Sequence, residues 1–257
     1  MLVQCQVGRV ILPPGFLLFR ELALLERSIS PVSANETVAP LSLVAGAHIV
    51  RVDIPSGDIS KFEPQETPGW EDLHPLEQEF ALGKPPRRCV EFVGGRVALR
   101  SALRACGWTG ELALLPLPQG GPALPVGFTG SISHKASMAL AVAAPSVAER
   151  TLGIDSEVVG DRERLTISRK VLRPSEVARW ESGGGSWTRL LEIFSTKEAI
   201  YKALHPHLRR YVGFEEAEVL DNGSIELHLR GDEGPFGVRS QVVWEGERLV
   251  VVVEIAP

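Results

Sequence analysis

Apolar residues change their spacing several times along this chain, and each change predicts a different element. The segment "PLSLVAGAHIVRVDI" (Pro40–Ile54) contains a strand ending near Asp53. It lies in a stretch, 31–75, whose Pro, Ser, Thr and Gly content otherwise predicts strands and long loops. From Pro86 the period lengthens. In "PRRCVEFVGGRVALRSALRACG", Val90, Val93, Val97 and Leu103, with small Ala98, Ala102 and Ala105, follow helical spacing, and Gly107 supplies a stop. The Gly94-Gly95 pair costs such a helix about 1 kcal/mol per glycine relative to alanine. That cost points to a backbone or a ligand coming close at this position.

The Gly/Pro-rich stretch Leu117–Gly130 leads into "SISHKASMALAVAA", whose apolar second half predicts a strand. After a turn at Pro145–Ser146, "RTLGIDSEVV" predicts the returning strand. Helical spacing resumes at "RPSEVARWES" and, past Gly183–Gly185, at "SWTRLLEIFSTKEAIYKALHP". In the latter Trp187, Leu190, Leu191, Phe194 and Tyr201 fall mostly along one side. Two hairpins close the chain: "EVLDNGSIELHL" turns at Asp221-Asn222-Gly223, and "SQVVWEGERLVVVVEI" near Gly246. This order of strands, helix, strands, helices and strands predicts an α+β protein in two halves, 1–144 and 145–257, with no visible sequence repeat between them.

Composition narrows the class. The 257 residues are 44% hydrophobic and 23% charged, an ordinary globular profile with ample material for a core. The net charge of −5 argues against a broad nucleic-acid-binding face. Cys5, Cys89 and Cys106 have no metal-like spacing and cannot all pair, which predicts buried thiols in a reducing compartment. The apolar "VILPPGFLLF" is short, is broken by Pro13 and Pro14, and lacks the basic flank and cleavage site of a signal peptide. No stretch approaches the roughly 18 apolar residues of a membrane helix. These features predict a cytoplasmic protein.

Four segments carry candidate chemistry. In "GIDSE" (Gly153–Glu157), Asp155 and Glu157 stand two apart in a strand and so point the same way. Two carboxylates on one face repel unless both face water or a divalent cation lies between them. In "FSTKEAIYK" (Phe194–Lys202), Glu198 and Lys202 are i,i+4 partners, read either as a surface pair or as a third carboxylate and a phosphate-balancing cation. An all-oxygen set of three acids suits Mg²⁺, which is usually held by carboxylates together with substrate phosphates. "GSISH" (Gly130–His134) offers Ser131, Ser133 and His134 to an anion. In "RRCVEFVGGR", Arg88 and Arg96 lie within about 80° of each other on a helix of 3.6 residues per turn. Neither a G-x-x-x-x-G-K-[ST] loop nor a G-x-G-x-x-G fingerprint is present, so the usual nucleotide loops are missing.

In this order and spacing, spanning Arg87–Lys202, the set resembles the 4′-phosphopantetheinyl transferases of the surfactin-type group, enterobactin-type branch. The resemblance implies an enzyme that moves the phosphopantetheine arm of coenzyme A to a carrier-protein serine and releases 3′,5′-ADP. It implies a pseudo-twofold dimer of two similar α+β halves, with coenzyme A in the cleft between them. Asp155, Glu157 and Glu198 would bind Mg²⁺ (or Mn²⁺), and Glu198 or a water it holds would take the serine proton. Lys202 would contact the pyrophosphate, with Lys197 a lesser contact. Arg88, Arg96, Ser133 and His134 would hold the 3′-phosphate and its neighbours. The chain departs from the pattern in "QGGPALPVG", where Gly121 replaces a frequent basic residue and Leu124 a usual Trp. The implied partners are apo acyl or peptidyl carrier domains of polyketide or nonribosomal peptide synthases, with no nucleic acid and no membrane. From Asp161 to Arg179 the chain has six basic residues against three acids, and the basic segment Arg162–Arg179 is expected to dock the carrier's acidic helix, with Val171 and Leu172 assisting. Two halves in one chain imply a monomer.

Overall fold

A computed structural model describes residues 7–10, 36–37, 43–59, 62–118, 120–160 and 163–257. The "VILPPGFLLF" segment beyond Val10, Cys5 and much of 31–42 lie outside the described residues, as do Asp161 and Arg162.

The fold is mixed α/β. One four-stranded sheet runs β2 (Glu36–Thr37), β3 (His48–Asp53), β5 (Met138–Pro145), β4 (Phe128–Lys135). A second runs β1 (Val7–Val10), β9 (Gly237–Glu245), β10 (Arg248–Ala256), β6 (Thr151–Val158). Helix α1 (Pro75–Leu82) leads into α2 (Pro86–Ala105), which lies across the first sheet. Past β6 come α3 (Ser168–Val171), α4 (Pro174–Ser182) and the long α5 (Trp187–Leu208), which lies across β6 and β10. The small β7 (Ala217–Val219) and β8 (Ile225–Leu227) hairpin follows. Among the described residues no helix is long and apolar enough to cross a membrane.

The core explains this layering. β5 and β10 are buried along nearly their whole length, so each feeds two cores by alternation. Ala139, Ala141 and Ala143 face α2, whose Val90, Val93, Val97 and Leu103 close the first cluster. Leu249, Val251, Val253 and Ile255 face α5 in the second. The other faces meet: Leu140 and Val142 pack with Leu152, Ile154, Val250 and Val252 in a third cluster between the sheets. Burial of this kind supplies roughly 25 cal/mol per Å² of apolar surface.

Glycine sets how closely the helices sit. A Cβ on Gly94 would lie 2.2 Å from Ile54 Cγ2, and one on Gly95 would lie 2.9 Å from Ile132 Cγ2. The pair is thus a packing contact with the sheet.

Two strand expectations are corrected. The segment preceding the Met138–Pro145 strand is itself a strand, β4, forming a hairpin that turns at Ala136 (φ 54°). The predicted returning strand does not return to β5, whose two edges are already taken by β3 and β4. It pairs antiparallel with β10 instead, Asp155 opposite Val251. β6 does run beside β4, joined through side chains: the Thr129 and Ser133 hydroxyls accept the Leu152 and Ser156 N–H groups, each at 3.2 Å.

Candidate active site

Alternation along β6 turns Leu152 and Ile154 to the core between the sheets and Gly153, Asp155 and Glu157 to α5. At Gly153 the helix rests on the strand: a Cβ there would be 1.9 Å from the Ala199 carbonyl oxygen. That approach brings the flank of α5 carrying Ser195, Glu198 and Lys202 over the two acids. Lys202 Nζ donates to Asp155 Oδ1 at 2.8 Å and to the Ile154 carbonyl at 2.9 Å. Ser195 Oγ donates to Asp155 Oδ2 at 2.8 Å, and Ser133 Oγ to Oδ1 at 3.0 Å. Lys135 Nζ lies 2.6 Å from Glu157 Oε2.

Neither acid of the D-x-E pair faces water, so the solvated alternative fails: Asp155 and Glu157 are both buried. Burial raises the Glu157 pKa above the usual carboxylate value, with Lys135 opposing and Asp155 adding to the rise. Burial also raises Glu198, and both Asp155 and Glu157 push it further. Glu198 has no hydrogen-bond or ion-pair partner among the described residues. Asp155, Glu157 and Glu198 are coupled electrostatically and are of the hard-oxygen type that Mg²⁺ takes, but as the side chains stand their oxygens are not all within 4.8 Å of one another, and Lys202 and Lys135 balance Asp155 and Glu157. Among the described residues Glu218, Glu226 and His228 do bring their ligand atoms that close together, and there Glu218 is paired with Arg173 and Arg179.

Lys202 also lines a cavity of about 1000 Å³ bounded by α1, α2, β4 and α5. Its walls carry Lys84, Arg88, Arg96, His134 and Arg209. Arg96 is buried, its guanidinium 4.4 Å over the Phe92 ring and its Nε donating to the Leu114 carbonyl. Burial pulls its pKa down to about 10, which leaves it charged at neutral pH. Burial pushes the His134 imidazole below its ordinary value, with Glu91 opposing and Lys202 and Arg88 assisting. Gly121 and Leu124 line the same cavity.

Several predicted contacts are absent. Lys197 points away from this cleft: its ammonium is buried against Glu176 Oε2 at 2.5 Å and the Val171 and Phe214 carbonyls. Adjacent helix residues point about 100° apart, so Lys197 and Glu198 serve different sides. The Ser133 hydroxyl gives its one proton to Asp155 and accepts from the Ser156 N–H, which leaves it no donor for a phosphate. Val171 and Leu172 are buried and cannot assist docking. Arg173 and Arg179 are held by Glu218, which leaves Arg164, Arg169 and Lys170 as the exposed cations among the described residues of that segment.

The chain's spacing had given no sign of Ser195, Lys135 and Glu91. Lys135 was detectable in principle, because it stands two past Ser133 and shares its face once β4 is a strand.

A buried acid-and-lysine centre opening on a cation-walled cleft is the equipment of a group-transferring enzyme with an anionic substrate. Family models bear this out: "4'-phosphopantetheinyl transferase superfamily" matches residues 151–253, and "4'-phosphopantetheinyl transferase N-terminal domain" matches 77–144. The chain is 30% identical to the 4′-phosphopantetheinyl transferase Npt of Nocardia iowensis, across 69% of this chain and 80% of the relative. It is 34% identical to PptT of Mycobacterium tuberculosis, across 69% and 76%. It is 27% identical to enterobactin synthase component D of Escherichia coli O157:H7, across 65% and 77%. The chain belongs to the 4′-phosphopantetheinyl transferase superfamily.

Proposed function

We propose that this protein transfers the 4′-phosphopantetheine arm of coenzyme A to a serine hydroxyl of an apo acyl or peptidyl carrier domain, releasing 3′,5′-ADP. The observation that carries this is the double placement of Lys202, which lines the cavity while its ammonium lies 2.8 Å from Asp155. One side chain thereby joins the cation-walled cleft to the acid centre.

Asp155, Glu157 and Glu198 would hold Mg²⁺, or Mn²⁺ in its place. The bound ion would neutralise pyrophosphate oxygens and improve 3′,5′-ADP as a leaving group. Arg88, Arg96 and His134 hold the 3′-phosphate and its neighbours, and Lys202 steadies the pyrophosphate as charge develops. The serine oxygen bonds to phosphorus as the bridging P–O bond breaks. Glu198, with its raised pKa, takes the serine proton directly or through a water. In this reading segments 1–144 and 145–257 are the two pseudo-twofold halves. The exposed Arg164, Arg169 and Lys170, beside exposed Leu165, receive the carrier's acidic helix. The enzyme works as a cytoplasmic monomer on carriers of peptide or polyketide synthases.

Intact-mass measurement tests the reaction. An apo carrier domain incubated with the protein, coenzyme A and Mg²⁺ gains one phosphopantetheine arm, and the gain disappears with Asp155→Ala or EDTA. No gain on peptide, polyketide or fatty-acid carriers would overturn the reading.

A further inference from the structure

Arg87 is tied across the fold: its guanidinium donates to the Pro55 carbonyl at 3.1 Å and to the Ala136 carbonyl in the β4–β5 turn. Its Nε donates to Glu91 Oε1 at 3.0 Å. The other Glu91 oxygen accepts from Arg88 Nη1 at 2.7 Å and lies 3.8 Å from His134 Nδ1. Glu91 therefore bonds Arg88 while anchored by Arg87, with the His134 ring on β4 close beside the same oxygen. Its side chain is 11% exposed, against 68% for Arg88. Among the described residues lining the cleft it is the sole carboxylate.

A carboxylate in such a place works against phosphate binding by like-charge repulsion. Its contacts supply the opposing benefit. An exposed arginine samples many rotamers, and fixing it before the ligand arrives removes that entropic cost from binding. We propose that Glu91 is a positioning residue that holds Arg88 beside His134 for the phosphate ester of the nucleotide donor. The inference rests on the proposed function and deepens it by assigning the determinant of 3′-phosphate recognition.

Titration calorimetry of the full chain with coenzyme A and with 3′-dephospho-coenzyme A tests it, with a melting curve for each variant to verify folding. Glu91→Ala weakens coenzyme A by about tenfold, although it makes the cleft more positive, and weakens the dephospho compound less than about twofold. Glu91→Gln keeps one of the two acceptor oxygens, so that it serves Arg88 or Arg87 and not both, and loses about threefold. Repulsion alone would make both variants bind coenzyme A more tightly, and that result overturns the proposal. Equal weakening toward both ligands also overturns it, since it would mean general loss of the cleft. If the alanine variant is unfolded, the glutamine variant decides: weaker binding supports the proposal, and equal or tighter binding overturns it. A wild-type protein that binds no coenzyme A overturns the proposed function and this inference with it, whereas a failure confined to the variants overturns only the role of Glu91.

Discussion

Gly153→Ala places a single methyl where α5 crosses β6. The new Cβ would sit 1.9 Å from the Ala199 carbonyl oxygen and 2.8 Å from the Ala203 nitrogen. Both are helix backbone, so no side-chain rotation relieves the clash, and the elements must part by about 1.5 Å to regain ordinary contact. Overpacking costs about 1–3 kcal/mol, and a rigid partner puts this site at the upper end. At about 2–4 °C per kcal/mol for a chain near this size, the melting temperature falls by about 6–12 °C. Activity falls further than stability implies, because the shift carries Glu198 and Lys202 away from Asp155. A misplacement near 1 Å costs on the order of 100-fold in rate. Melting curves and initial rates of carrier modification, taken well below both melting temperatures, measure the two effects. Gly95→Ala is the comparison: its Cβ would meet one side-chain methyl, Ile132 Cγ2 at 2.9 Å, in place of helix backbone at 1.9 Å, so its loss is smaller. A Gly153→Ala protein with wild-type melting temperature and rate would refute the account of how α5 is seated.

Lys197→Met breaks a buried ion pair whose side chains are each 1% exposed, leaving Glu176 without its cation. It lowers stability by about 3–5 kcal/mol in urea unfolding, with the KM for coenzyme A unchanged in protein that remains folded. Glu216 is held below its ordinary carboxylate value of 4.5 by the two hydrogen bonds from Arg210, at 2.9 and 2.6 Å. Its folded pKa is depressed, so this stabilisation is present above about 4.5 and is lost as pH falls through the folded pKa. Unfolding measured from pH 6 to 3 shows this acid-limb slope, and Arg210→Gln flattens it. Charge reversal of both Arg169 and Lys170 slows carrier modification at low salt and matters less at high salt. An unchanged rate at low salt would remove that surface from consideration.

Much of the site was legible because its chemistry is packed into short segments with fixed periods. The i,i+2 acids had to share a face of β6, and the i,i+4 pair Glu198 and Lys202 had to share a flank of α5. What the periods could not supply is how two elements meet. Gly153 looked like the neutral first letter of an acidic motif, yet it lets the backbone of α5 reach the strand, without which Lys202 would not reach Asp155. β4 stayed hidden for a related reason. Its buried face carries Thr129, Ser131 and Ser133, residues that read as loop until an N–H donor is known to lie opposite. The same polarity joins the two sheets. Ser133 accepts from the Ser156 backbone and donates to Asp155, so the strand junction also sets the orientation of the central carboxylate. Lys197 shows the converse error, since membership in a motif said nothing of which side of the helix it serves. The motif holds two systems on one helix: Ser195, Glu198 and Lys202 turn to the acids of β6, while Lys197 turns to Glu176 and fastens α5 to α4. One face requires close packing at Gly153 and the other requires a buried ion pair, and the position of Glu198 over Asp155 depends on both.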